Sequence, residues 1–169
     1  MAWPIDVLTR PDRISIDDEV FIRSHVRLEA VRAVPEAEPG TISIGRRAHF
    51  EGYCSISSAS SVTIGTNVLF GANVTIRDHD HGFSLEDVHP LELPLEFAAV
   101  SVDDYSWLGQ NVVVLKGVHI GAHAVIGANS VVTRSVPPGA VMAGVPARQI
   151  GWVDGRTLKV PPPDEGHIE

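Results

Sequence analysis

Residues 102–136 read VDDYSWLGQNVVVLKGVHIGAHAVIGANSVVTRSV. Every sixth residue is aliphatic: Val102, Leu108, Val114, Ile120, Ile126 and Val132. Four places after each stands a second, mostly small residue: Ser106, Val112, Val118, Ala124, Ser130 and Val136. A six-residue period is neither that of an α-helix nor the alternation of a single strand. It describes one short strand and one tight corner, repeated, and repeats of that kind stack into solenoids. A chain that turns every six residues closes a triangle with three strands per coil.

The pattern extends upstream through Ile16, Ile22 and Leu28, then Ile44, Phe50 and Ile56, then Ile64, Phe70 and Ile76. All fifteen first positions are apolar, which predicts one inward ridge. Thirteen of the fifteen partners are Val, Ala, Ser or Cys; the exceptions, Arg32 and Asp80, each end a coil where the repeat lapses. Gly follows the first position at 45, 65, 71, 109, 121 and 127, and these glycines are expected to form the corners through their tolerance of positive φ. Fifteen hexads predict an all-β parallel helix of five coils, about 24 Å tall at the ~4.8 Å spacing of paired strands. Two excursions interrupt it, at 33–41 and 81–101, and the second is long enough to suggest a functional loop. After Ile150 the chain is expected to become an irregular tail, extended at Pro161-Pro162-Pro163. The whole of 1–169 reads as a single domain.

Composition bounds the function. At 44% hydrophobic the chain can bury a core, and no run of 18 apolar residues predicts a membrane span. The opening MAWPIDVLTRPDR lacks the apolar centre of a signal peptide, and Cys54 is the only cysteine, so a cytoplasmic location is expected. Cys54 occupies an inward partner position and reads as a small packed thiol, not a nucleophile. A net charge of -8 argues against nucleic acid as a partner. From Lys116 to Lys159, however, five basic residues face a single acid, Asp154. That local surplus suits either a small polyanion or acids of a neighbouring subunit.

The strongest chemical signal is Ile76-Arg77-Asp78-His79-Asp80-His81, where the chain leaves the prism for the long loop. A neutral imidazole is the natural general base near pH 7, and Asp78 or Asp80 beside it would fix its tautomer. The rival readings are a metal site built on His79, His81 and His89, and simple loop polarity.

These motifs resemble the hexapeptide-repeat acyltransferases, and most closely the galactoside and maltose O-acetyltransferases and the polysaccharide O-acetyltransferases related to them. The resemblance runs from about Ile42 to Ile150. Its most specific segments are Val132-Thr133-Arg134-Ser135-Val136-Pro137-Pro138-Gly139 and Ala143-Gly144-Val145-Pro146-Ala147-Arg148. It implies a left-handed parallel β-helix, a homotrimer with active sites between neighbouring prisms, and acetyl-CoA as the donor bound along the C-terminal coils. Ungapped matching from Ile44 carries the family's catalytic histidine to His81; a two-residue shift carries it to His79. The tryptophan beside the thioester falls on Trp107, and the other cofactor contacts on Gln110, Ala128, Thr133, Arg134 and Arg148. The sugar-contacting asparagine and aspartate of the galactoside enzymes are replaced by Glu51 and Ala59, so a free galactoside is not implied.

The function expected is therefore acetyl-CoA-dependent O-acetylation of a sugar or polysaccharide precursor. Transfer would be direct, with histidine as general base and no resident metal. Two other classes remain. One is a zinc-dependent hydratase resembling the γ-class carbonic anhydrases, with His119 and His123 joining His81. The other is a non-catalytic trimeric scaffold.

Overall fold

The computed structural model describes residues 5–160. Their short strands form three parallel sheets, the three faces of a triangular column. The first face carries Ile14–Ile16, Thr41–Ile44, Ser61–Ile64, Val100–Val102 and His119–Ile120. The second carries Phe21–Ile22, His49–Phe50, Leu69–Phe70, Trp107–Leu108, Val125–Ile126 and Ala140–Gly144. The third carries Ile5–Thr9, Val26–Ala30, Ser55–Ser58, Thr75–Arg77, Val113–Val114 and Val131–Val132.

Register follows the hexads without slippage. Ile16, Ile44, Ile64, Val102 and Ile120 stand above one another on the first face. Ile22, Phe50, Phe70, Leu108, Ile126 and Met142 do so on the second. Leu28, Ile56, Ile76, Val114 and Val132 do so on the third. Like stacks on like because each coil repeats the same six-residue phase. Phe50 and Phe70 lie parallel with ring centroids 4.4 Å apart. Thirteen of the fifteen first-position residues are buried, at about 1.5–3 kcal/mol for each large side chain removed from water.

The other two, Ile16 and Ile22, belong to the end coil: Ile16 is 42% exposed and Ile22 half-buried. The inward ridge thus thins at the column's N-terminal end, where among the described residues no further coil covers the first face. On the third face Ile5–Thr9 adds a strand beyond that coil, pairing Leu8 with Leu28.

The corners differ from the expectation. Positive φ falls on the third residue after eleven of the fifteen first positions: Glu19, His25, Arg47, Tyr53, Asn67, Asn73, Tyr105, Asn111, Gly117, His123 and Asn129. Asparagine tolerates the left-handed region better than most residues, and it holds four of these corners. Three of them are bonded in a ladder, Asn73 to Asn111 and Asn111 to Asn129, each at 2.9 Å. The glycines after the first position have no positive φ. Their function is close approach. A Cβ on Gly45 would lie 2.7 Å from the carbonyl carbon of Gly65, and one on Gly71 would lie 2.6 Å from the Gln110 nitrogen. These glycines let consecutive coils touch backbone to backbone.

The C-terminal segment is also more ordered than expected. Ala140–Gly144, Ala147–Asp154 and Thr157–Lys159 form an antiparallel meander on the second face. The change from parallel to antiparallel pairing occurs at Gly144–Ala147, before the Ile150 boundary assigned to the repeat. The Pro161-Pro162-Pro163 run lies outside the described residues. The long loop is shorter than its assigned span, since Val100 already belongs to the first face. It opens as a ribbon, with His79–Asp80 antiparallel to Glu96–Phe97. Among the described residues no helix is long and apolar enough to cross a membrane.

Candidate active site

Asp78 stands two residues after the inward Ile76 and keeps its phase, so its carboxylate is buried at 0% exposure. The corner between the third and first faces supplies its partners. Its oxygens accept from the Ser58 hydroxyl at 2.8 Å, the Ala59 N–H at 2.7 Å and the Ser60 N–H at 2.8 Å. The fourth partner is His79 Nδ1, 2.9 Å from Asp78 Oδ1. Burial alone would raise the Asp78 pKa. The His79 contact, the two backbone donors and the Ser58 hydroxyl together outweigh it and hold the group below its usual value. An ionised Asp78 requires Nδ1 of His79 to carry a proton, so Nε2 of the neutral ring is the basic nitrogen.

The two histidines differ sharply in setting. His79 is buried at 9% exposure and tied to Asp78. His81 is exposed and borders a cavity of about 580 Å³ between the two excursions, walled by Arg32–Pro35 and Leu91–Leu95. A main-chain bond from Leu95 N–H to the Ala33 carbonyl, 3.2 Å, joins the two excursions. Lys116 fastens the ribbon from beneath, with its Nζ 3.2 Å from Asp80 and 2.9 Å from Glu96.

A second groove, of about 640 Å³, lies along the second face and is lined mainly by apolar groups. It brings together Trp107, Gln110 and Ala128, three of the residues assigned to a cofactor. Met142, Ile150 and Leu158 from the C-terminal meander supply another part of its wall, and Glu51 also lines it. Thr133, Arg134 and Arg148 are exposed and do not line this groove. Thr133 and Arg134 follow the last third-face strand, and Arg148 lies in Ala147–Asp154 opposite Ala143, its Nη1 donating to the Ala147 carbonyl at 3.0 Å.

The cavity and the groove occupy different corners of the prism. His79 and His81 follow a third-face strand, where the chain turns to the first face. Ala72, Gln110 and Ala128 follow second-face strands, where it turns to the third. No residue lines both.

The remaining candidates are engaged elsewhere. His119 Nε2 lies 2.8 Å from Asp103, and His123 stacks on Tyr105 at 5.0 Å. His89 Nδ1 accepts from the Leu91 N–H at 3.1 Å. Among the described residues no three His, Cys, Asp or Glu side chains converge as metal ligands. Burial pushes the Cys54 thiol up to about 11, so at neutral pH it stays protonated and unreactive.

Sequence reasoning did not identify Asp78 as a buried anchor or Lys116 as a clamp. The first had a signal: an acid in phase with Ile76 points inward and must find donors there. The second had none, because the ribbon that brings Asp80 and Glu96 together is a tertiary pairing.

Comparison with known proteins accords with this architecture. Residues 99–134 match the family described as bacterial transferase hexapeptide (six repeats), and residues 61–87 match the hexapeptide repeat of succinyl-transferase. The chain is 42% identical over 119 residues to the putative lipopolysaccharide biosynthesis O-acetyl transferase WbbJ of Escherichia coli K12, covering 66% of this chain and 60% of that protein. It is 38% identical over 117 residues to the galactoside O-acetyltransferase of the same organism, covering 68% and 56%. The chain thus spans about three fifths of the length of the curated relatives it matches. Among solved structures, the hexapeptide-repeat containing acetyltransferase VCA0836 of Vibrio cholerae superposes with a TM-score of 0.62 at 32% identity, covering 67% of this chain and 63% of that one. Its complex with acetyl coenzyme A gives 0.64 at 27%, covering 81% and 71%. The hexads, their stacked register and these likenesses agree: the fold is the left-handed parallel β-helix, and this chain shares its hexapeptide repeats with the acetyltransferases named above.

Proposed function

We propose that the protein is an acetyl-CoA-dependent O-acetyltransferase acting on a hydroxyl of a sugar or polysaccharide precursor in the cytoplasm, and that its site is completed between subunits of a homotrimer. The observation that carries this reading is the pair of complementary half-sites at different corners of one prism. The groove holding Trp107, Gln110 and Ala128 suits the pantetheine arm and thioester, and Arg134, Arg148 and Thr133 lie exposed toward the C-terminal end for the phosphates. The cavity beside His81 suits the acceptor. A neighbour packed corner to corner brings the two together.

In this mechanism His81 is the base. It is exposed at the cavity edge, where an acceptor hydroxyl has room to approach. The hydroxyl proton passes to the imidazole as the oxygen attacks the thioester carbonyl. The tetrahedral intermediate collapses, expelling CoA, which takes up a proton and leaves as free thiol. His79 and Asp78 anchor the strand from which His81 projects.

One experiment tests the assignment. His81→Ala is expected to lower kcat by about 10²–10⁴-fold with little change in acetyl-CoA affinity, because general-base catalysis contributes on that order. His79→Ala is expected to cost less. The reverse ranking makes His79 the base, acting through Nε2 with Asp78 as its orienting carboxylate. Arg148→Ala is expected to weaken acetyl-CoA binding by roughly 1.5–3 kcal/mol, the worth of a charge-assisted contact, as read by calorimetry. An unchanged affinity removes Arg148 from the site, and no saturable binding by the parent protein removes the acyltransferase reading.

A further inference from the structure

Arg32 and Asp80 are the two residues that break the small-partner rule of the hexads. Both stand just past a third-face strand, where an excursion leaves the column. Asp80 is answered by Lys116. Arg32 has no such answer: among the described residues it takes part in no ion pair, and it is exposed. One donor, Nη1, reaches the Pro35 carbonyl at 2.7 Å, which orients the guanidinium and leaves its other N–H groups free. Arg32 lines the same cavity as His81.

We propose that Arg32 determines acceptor specificity, selecting a sugar that carries an anionic group, carboxylate or phosphate, and holding it in this cavity with a hydroxyl turned to His81. This inference rests on the acyltransferase reading above. A guanidinium already oriented by a backbone carbonyl is suited to a fork of hydrogen bonds with a carboxylate or phosphate. The opposite wall, with Leu91, Leu93 and Leu95, offers apolar surface to the C–H face of a pyranose ring. Glu92, the one carboxylate lining the cavity, faces the same space and can accept from ring hydroxyls. A cavity lined by one unpaired cation, one imidazole, one carboxylate and aliphatic walls matches a hydroxylated anion better than a neutral sugar. The residues proposed for the cofactor's phosphates, Thr133, Arg134 and Arg148, do not line this cavity, which leaves Arg32 to the acceptor.

The test compares galactose, galacturonate and galactose 1-phosphate as acceptors for the parent protein, Arg32→Gln and Arg32→Lys. Acetyl-CoA and sugar binding are measured by calorimetry on the same samples. One anionic sugar is expected to exceed galactose at least ~10-fold in kcat/KM, and which one identifies carboxylate or phosphate. Arg32→Gln is expected to raise KM for that sugar by roughly 10–100-fold, with kcat and the use of galactose little changed, as loss of a charge-assisted contact implies. Arg32→Lys is expected to recover part of the loss. Equal use of neutral and anionic sugars, failure of every sugar to bind, or an equal loss on all three sugars in Arg32→Gln overturns the proposal. The equal loss would assign Arg32 to holding the 33–41 excursion through Pro35. If acetyl-CoA binding is intact in those cases, only the Arg32 proposal falls. If it is absent, the acyltransferase reading falls with it.

Discussion

Asp78 shows how one residue can join fold to site. A buried carboxylate is costly unless each oxygen finds donors, and four groups supply them here. Three belong to the corner at Ser58–Ser60, so the same carboxylate closes a turn of the preceding coil and orients His79. Asp78→Asn would turn an amide N–H₂ toward existing donors. It is expected to destabilise the fold by roughly 2–3 kcal/mol in denaturant unfolding, the cost of unmatched buried polar groups. The sign of its pH effect follows from the lowered pKa. Asp78 contributes stability above the unfolded-state value of about 3.9, and that contribution is lost as pH falls through the lower native value. Urea midpoints between about pH 5 and pH 2 should therefore fall more steeply for the parent than for Asp78→Asn. Parallel slopes would show that other carboxylates dominate acid unfolding.

At the scale of the element, each hexad is a contract between six residues and the coils above and below. The first position fills the interior. The next residue must be small where the following coil crosses it, and in eleven of the fifteen hexads the third after must accept positive φ. Gly45 illustrates the second requirement, away from either half-site. The Cβ of Gly45→Ala would meet Gly65 backbone atoms at 2.7 and 2.9 Å, which no rotamer change can relieve. A loss of about 2–3 kcal/mol or more is expected, as for overpacking against rigid neighbours, measured as a lowered Tm with secondary structure retained. A neutral result would mean that the coils separate locally at little cost.

At the scale of the whole molecule, the column presents the proposed acceptor cavity and the proposed donor groove at different corners, with no lining residue in common. On the proposed reading function depends on assembly, and the protein is expected to sediment as three copies of the 18.2 kDa chain. A sharper check is complementation. His81→Ala and Arg148→Ala subunits are each expected to be nearly inactive or weakly cofactor-binding alone. Mixed under conditions that exchange subunits, they should regain activity, because some interfaces then pair an intact His81 with an intact donor groove. Failure to regain activity in demonstrably mixed trimers would place both halves of the site within one chain.

The hexad period by itself determined the architecture, since six residues per strand-and-corner leaves a triangular coil as the geometry that buries every first position. It also determined the register, because equal phase in each coil stacks Ile16 through Ile120, Ile22 through Met142 and Leu28 through Val132 in line. The end of Thr75–Arg77 was legible as a candidate site, because two histidines and two acids cluster where the chain leaves the column. The purpose of the glycines was not legible. Glycine admits both positive φ and close contact, and only the neighbouring coil decides between them. The C-terminal meander was hidden because its pairing turns antiparallel beyond the repeat. The contrast between His79 and His81 was hidden for a similar reason. Two places apart, they share the same local signal, and the tertiary structure alone decided that one is locked to Asp78 while the other faces open space beside Arg32. Local sequence sets the phase of a side chain, whereas burial and partners depend on chain segments that sequence distance does not order.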